Sequence, residues 1–130
     1  MIFRVAGKSV KIDETLVKEK KERIESDVKK YLEGKKISFD YNLDLKGLTR
    51  FHQEVLGAMR KIKYGETVSY GRLAIRSGYP LADRAVGSVC NKNPFPIIIP
   101  CHRVVAKNSI GGYAFGEDVK RHLLRMEGSL

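Results

Sequence analysis

The sequence predicts an α+β fold: a small β-β-α-β unit over residues 1–46, then a mostly helical domain over residues 47–130 that contains a helix-turn-helix and a loop carrying a cysteine. Three observations predict it. Apolar residues alternate across a glycine turn at the N-terminus. Further along, apolar residues recur at helical spacing in blocks that stop at glycine or proline. Finally, an isoleucine triplet bracketed by prolines leads straight into Cys101.

The elements follow in order. Phe3, Val5, Val10 and Ile12 flank Ala6-Gly7-Lys8, which reads as a short hairpin. Asp13 or Thr15 can cap a helix whose inner face is Val17, Ile24, Val28 and Tyr31, with Gly34 as its stop. Ile37, Phe39, Tyr41 and Leu43 alternate with polar residues, so 37–43 is expected to be a strand with one buried face. Thr49 opens a helix through Phe51, Val55, Leu56, Met59 and Ile62, broken at Tyr64-Gly65-Glu66. Ser69 is the N-cap of a short helix over 70–77, and Gly78-Tyr79-Pro80 is a turn before a helix over 81–92. Two helices with such a turn have the spacing of a helix-turn-helix. Asn93-Pro94-Phe95-Pro96 is expected to be a rigid extended loop, because each proline pushes its predecessor out of the helical region. Ile97 to Ile99 is a short buried segment closed by Pro100, and Gly111-Gly112 permits a close backbone approach. Glu117 to Met126 closes the chain as a helix with Val119, Leu123, Leu124 and Met126 inward.

Composition narrows the function classes. The chain has 130 residues, 42% of them hydrophobic and 31% charged, which is globular rather than disordered. Apolar runs reach only three residues, as at Ile97 to Ile99, so no segment can cross a bilayer and no membrane association is expected. The N-terminus lacks the apolar stretch of a signal peptide. Two cysteines, Cys90 and Cys101, are too few for a disulfide framework, which points to a reducing interior and a cytoplasmic protein. The net charge is +10. Residues 1–46 hold 12 basic and 9 acidic side chains, and residues 47–130 hold 13 and 6. The second part therefore carries most of the positive field, which favours polyanions and above all nucleic acid.

Cys101-His102-Arg103 is the chemically suggestive cluster. A thiolate is the reactive form of cysteine, and an ordinary thiol is mostly protonated at neutral pH. His102 or Arg103 could activate it, directly or through water. Neighbours in an extended segment point to opposite faces, so the orienting acid must come from elsewhere, and Glu127 at the end of the last helix is the obvious carboxylate. A buried cysteine beside an isoleucine run also reads as simple packing. Cys90 lies on the apolar stripe of its helix, and His52 and His122 look like ordinary helix-surface residues. Adjacent Cys-His is not metal-ligand spacing.

Residues 93–105, Asn-Pro-Phe-Pro-Ile-Ile-Ile-Pro-Cys-His-Arg-Val-Val, resemble the active-site signature of the O6-alkylguanine-DNA alkyltransferases. Gly65-Glu66-Thr67-Val68-Ser69-Tyr70, Arg84-Ala85-Val86-Gly87, Gly111-Gly112-Tyr113 and Leu123-Leu124-Arg125-Met126-Glu127-Gly128 extend the resemblance over about residues 50–128. It implies a suicide repair protein that flips O6-alkylguanine out of duplex DNA and moves the alkyl group irreversibly to Cys101. On that reading His102, oriented by Glu127, takes the thiol proton through a water, and Asn93 ties the active-site loop. Tyr70 donates toward the departing guanine, and Arg84 fills the vacated place in the base stack. Tyr70, Gly71, Tyr79, Arg84 and Lys107 would contact DNA, the second helix lying in the minor groove. Val104, Tyr113 and Ala114 would line the base pocket.

The resemblance implies no cofactor and a monomer. Some members carry zinc in a longer N-terminal domain; this chain has no cysteine before Cys90, so no metal is expected. The N-terminal unit is shorter than usual for the family. Phe115 stands where some members have glycine, which should narrow the pocket and favour methyl over benzyl adducts. Two rival readings remain: a lesion-recognising DNA binder that removes nothing, and a helix-turn-helix regulator with a redox-sensing cysteine.

Overall fold

The computed structural model describes residues 1–130. Strand β1 (Ile2–Val5) pairs antiparallel with β2 (Lys8–Lys11), Phe3 opposite Val10. Ala6 and Gly7 both have positive φ, at 48° and 77°, which matches the two-residue turns whose twist suits a hairpin. Asp13 does cap a helical element, but only a single 3-10 turn over Glu14–Leu16. The expected helix splits there. Val17 leaves the turn in extended conformation and bridges Leu43, and α1 (Lys21–Leu32) starts later, burying Ile24, Val28 and Tyr31.

Residues 37–43 are not a strand. Their burial alternates as expected, Tyr41 buried and Ser38, Asp40 and Asn42 exposed, yet the only strand-like pairing is the Val17–Leu43 bridge. The carbonyls of Phe39 and Tyr41 accept instead from the Arg60 guanidinium. Alternation reports one buried face; it does not report a partner strand.

Helix α2 (Arg50–Arg60) starts at Thr49, whose hydroxyl accepts from the His52 amide, and it buries Val55, Leu56 and Met59. The two-residue strand β3 (Val68–Ser69) runs into α3 (Tyr70–Arg76), capped by Ser69. A turn over residues 77–82 leads to α4 (Asp83–Asn91). Helices α3 and α4 pack on each other and both pack on α2. Inward go Leu73 and Ala74 from α3, and Val86, Val89 and Cys90 from α4.

The loop after α4 bends instead of extending. The Asn93 side-chain oxygen accepts from the Phe95 amide, its NH2 donates to the Ile99 carbonyl, and the Ile99 amide donates to the Phe95 carbonyl. Ile97 takes a φ of 74°, rare for a β-branched residue, to close this compact turn. Cys101–Arg103 is likewise a 3-10 turn and not extended chain, so its three side chains fan out around a helical axis. Strand β4 (Val104–Val105) then pairs parallel with β3, which brings the end of the cysteine loop beside the start of α3.

Helix α5 (Glu117–Met126) buries Val119, Leu123 and Leu124 as expected, but Met126 is only half-buried and Lys120 is fully buried instead. One apolar core runs from Val5 to Leu123 and joins the first 46 residues to the rest. No helix is long and apolar enough to cross a membrane.

Candidate active site

Cys101 lies on the 3-10 turn, 4% exposed, between the Asn93 loop and α5. Burial pushes its thiol up, while Asn93, the Tyr113 hydroxyl and the Lys120 ammonium pull it back toward the thiolate. The Tyr113 hydroxyl is shut off from solvent and meets no oxygen or nitrogen partner; its neighbour is the thiol.

The turn aims His102, fully buried, at Glu127. Imidazole Nε2 lies 2.9 Å from Glu127 Oε2. Arg103 joins the same carboxylate, with Nε 2.8 Å from Oε1 and Nη2 2.9 Å from Oε2, while Nη1 donates to the Ile62 carbonyl at 2.7 Å. Burial raises the Glu127 carboxyl, but the hydrogen bonds from His102 and Arg103 outweigh it and hold the group at about 2. Glu127 is therefore an anion and accepts only, so His102 carries its proton on Nε2. Nδ1 is left bare, buried and without a partner. Burial, opposed by Glu127, holds the imidazole below its ordinary range, so it is neutral and able to accept a proton.

Two members of this cluster were not singled out from the sequence. Lys120 donates to the Val104 carbonyl at 2.6 Å and the Gly112 carbonyl at 3.1 Å, clipping both ends of the loop that follows Cys101. Burial lowers its ammonium to about 8, with both thiols among the groups that oppose the fall. Its sequence signal was its place beside Val119 and Leu123 on the inward stripe of the last helix. Tyr31 of α1 donates to Glu127 Oε2 at 2.5 Å and lies 3.3 Å from His102 Nε2. Sequence reading placed it in the core, and no local pattern points across to Glu127.

The remaining candidates fall into two places. Tyr70, Gly71, Arg84 and Lys107 line one groove of about 490 Å³, with Asp83 and Gly87. Arg84 and Lys107 are exposed and Tyr70 is half-buried, its phenol pushed up by burial. At Gly111 (φ 77°) a Cβ would stand 3.1 Å from the Tyr70 hydroxyl and from the Ala106 amide nitrogen, so this glycine lets the Tyr70 ring close against the loop. Tyr79 is not brought to that groove: its ring packs edge-on to Phe51 at 4.8 Å, and its hydroxyl faces Glu54. Val104 is fully buried, Tyr113 stacks edge-on to Phe115 at 5.5 Å, and Ala114 is exposed. Leu81, unremarked in the sequence, is 97% exposed just before α4 with a φ of 72°. His122 is exposed and His52 half-buried. No group of three or more His, Cys, Asp or Glu side chains is placed to hold a metal.

A buried cysteine, a neutral histidine and an ionised carboxylate gathered at one turn are the parts of a thiol nucleophile with its own base and orienting acid. The chain belongs to the family described as the 6-O-methylguanine DNA methyltransferase DNA-binding domain, whose model matches residues 50–129. It is 48% identical over 100 residues to a methylated-DNA–protein-cysteine methyltransferase of Methanosarcina acetivorans, covering 76% of this chain and 64% of that one. It is 51% identical over 88 residues to the protein of the same description from Methanocaldococcus vulcanius, covering 68% and 52%. Among solved structures, that of Mycobacterium tuberculosis OGT in complex with DNA superposes with a TM-score of 0.76 at 43% identity, covering 82% of this chain and 65% of that one. These alignments reach less than two thirds of the relatives' length.

Proposed function

We propose that the chain repairs O6-alkylguanine in duplex DNA by moving the alkyl group to its own Cys101, once and irreversibly, without a cofactor. The observation that carries this reading is the buried Glu127–His102 contact that leaves Nδ1 bare, on the same turn as a donor-lined thiol. His102 Nδ1 takes the thiol proton through a water, and the resulting imidazolium faces the Glu127 anion. The sulfur attacks the alkyl carbon, a C–S bond forms, the C–O bond breaks and the electron pair leaves with guanine. The Tyr70 hydroxyl supplies the proton that guanine collects. Asn93 and Tyr113 donors and the Lys120 cation hold the thiolate in the meantime. The thioether has no hydrolytic exit, so each chain acts once.

A base inside the stack cannot reach a thiol in the core, so the nucleotide must be extruded, at a cost of a few kcal/mol. We assign entry to the minor groove by α4, with α3 and α4 serving as the helix-turn-helix. Arg84 occupies the vacated stack position, Ala85 and Ser88 allow close approach, and Lys107 meets phosphate. Leu81 makes an apolar contact with the groove wall. The degenerate minor groove suits a protein that must scan any sequence. Val104, Tyr113 and Ala114 receive the base, and Phe115 against Tyr113 restricts it to small adducts. The protein acts as a monomer, and its two free thiols suit a reducing compartment such as the cytoplasm.

Incubation with DNA carrying labelled O6-methylguanine tests the reading. One label per chain, a mass gain of about one methylene on the peptide holding Cys101, and no further turnover are expected of a stable thioether. A Cys101→Ser chain that still takes up label would overturn it. Binding of the lesion with no label transferred would favour the recognition-only rival.

A further inference from the structure

We propose that Tyr31, from the first 46 residues, is a positioning residue for the thiol-activating relay: its hydroxyl donates to the Glu127 oxygen that His102 Nε2 also meets, and so holds the imidazole with Nδ1 available to the thiol proton. The inference rests on the transfer reading above and deepens it.

Glu127 Oε2 receives the Tyr31 hydroxyl at 2.5 Å, His102 Nε2 at 2.9 Å and Arg103 Nη2 at 2.9 Å, while Oε1 receives Arg103 Nε at 2.8 Å. Each carboxylate oxygen offers about two lone-pair sites, so Oε2, with three donors, is the crowded oxygen and Oε1 the sparser one. Tyr31 is 1% exposed, and neither burial nor a carboxylate neighbour lets its phenol ionise. Its oxygen also lies 3.3 Å from Nε2, at the same edge of the ring that meets Glu127. Every other donor to Glu127 comes from the cysteine turn. Tyr31 alone comes from α1, and it ties that helix to the chemistry across 96 residues of sequence. The groups facing His102 are Glu127 and Lys120 of α5, Arg103 of its own turn and Tyr31 of α1.

Removing the Tyr31 hydroxyl takes one O–H dipole away from the oxygen that also meets Nε2. The carboxylate then pulls harder on the Nε2 proton and the imidazole becomes more basic. In Tyr31→Phe, the His102 titration followed by NMR and the acid limb of methyl transfer should both move to higher pH, by about 0.5–1 unit, the scale on which one hydrogen bond to a charged group acts. Transfer should fall more at pH 6 than at pH 8, with affinity for duplex DNA unchanged. Fluorotyrosine at position 31, a stronger donor of nearly the same shape, should move both to lower pH and covers the case in which Tyr31→Phe does not fold. Unmoved titrations with only a lower Tm would reduce Tyr31 to filling space and overturn the proposal. If the unmodified chain transfers no methyl group, the repair reading fails on its own, while the imidazole titration still decides the role of Tyr31.

Discussion

Four donors converge on the two oxygens of Glu127 inside the core, whereas Arg84, Ala85 and Ser88 on α4 face open solvent. Cys101, His102 and Glu127 are 4%, 0% and 6% exposed, and Leu81 is 97% exposed. The two regions are built by different physics. In the relay a charge is tolerable only because others surround it, so each side chain depends on all the rest. On α4 each side chain is nearly independent, and its effect should be small, additive and sensitive to salt. Nonadditive losses in the first region and additive ones in the second are what the comparison demands.

Glu127→Ala should show the largest effect. It strands the Arg103 guanidinium among Ile62, Tyr64 and the imidazole, and breaking such a buried pair costs about 3–5 kcal/mol. Methyl transfer should fall at least about 100-fold, the range of a lost general-base device. Chemical denaturation and single-turnover kinetics check both. A loss under about 1 kcal/mol, the value of an exposed pair, would erase the distinction between the two regions.

Lys120→Met comes next. The thiol loses a cation that favours its anion and two carbonyls lose their donor. Transfer should slow about tenfold or more, one unit of thiol pKa being worth a factor of ten. Titrating thiol reactivity against pH should show the limb moving upward. A purely structural clip would lower Tm and leave that limb in place.

The relay should also govern pH stability. Burial sets His102 below its ordinary 6.5, and the His102 and Arg103 hydrogen bonds set Glu127 at about 2 against an ordinary 4.5. Both groups bind protons more tightly once unfolded, so each stabilises the fold above its unfolded value and that share is lost as pH falls. Stability should decline below about pH 6.5 and more steeply below about 4.5 as the unfolded state takes up these protons. Lys120, lowered by burial to about 8 from 10.5, adds the same sign higher up: stability should rise between those two values. Denaturation midpoints measured across pH check the profile, and a flat midpoint from pH 7 to 4 would contradict it.

The same contrast explains what could be read in advance. Helices α2 and α3 begin at local signals, Thr49 and Ser69, and these act over three or four residues. The Cys101, His102 and Glu127 grouping was legible through resemblance, since Glu127 stands 25 residues beyond His102. Tyr31 was legible as core and illegible as a relay partner, because nothing in its helix refers to residue 127. Residues 37–43 misled for a related reason: alternation records one buried face, and Arg60 of α2 took the carbonyls that a strand would have paired. The extended form expected for residues 93–96 failed because Asn93 and Ile97 close a tight turn that proline preferences alone do not foresee.

Arg84→Ala probes the exposed side. Affinity for duplex DNA should drop a few-fold, because the side chain that fills the vacated stack position is gone. Reaction with free O6-methylguanine should be unchanged, as should Tm. A change in the reactivity of the thiol toward the free base would mean that the helix face and the relay are coupled after all.

Leu81→Gly should have the smallest effect and the most telling sign. Leu81 holds a left-handed φ of 72° that glycine adopts without strain, and its side chain buries almost nothing. The free protein should gain stability, by less than about 1 kcal/mol, since glycine also loosens the unfolded chain. DNA affinity should nonetheless fall, by about two- to fivefold for the loss of one apolar contact in the groove. On the proposed docking of α4, bound DNA covers this strained, exposed leucine. Thermal melts paired with binding titrations decide it: stability up and affinity down supports the contact, and stability up with affinity unchanged removes Leu81 from the interface.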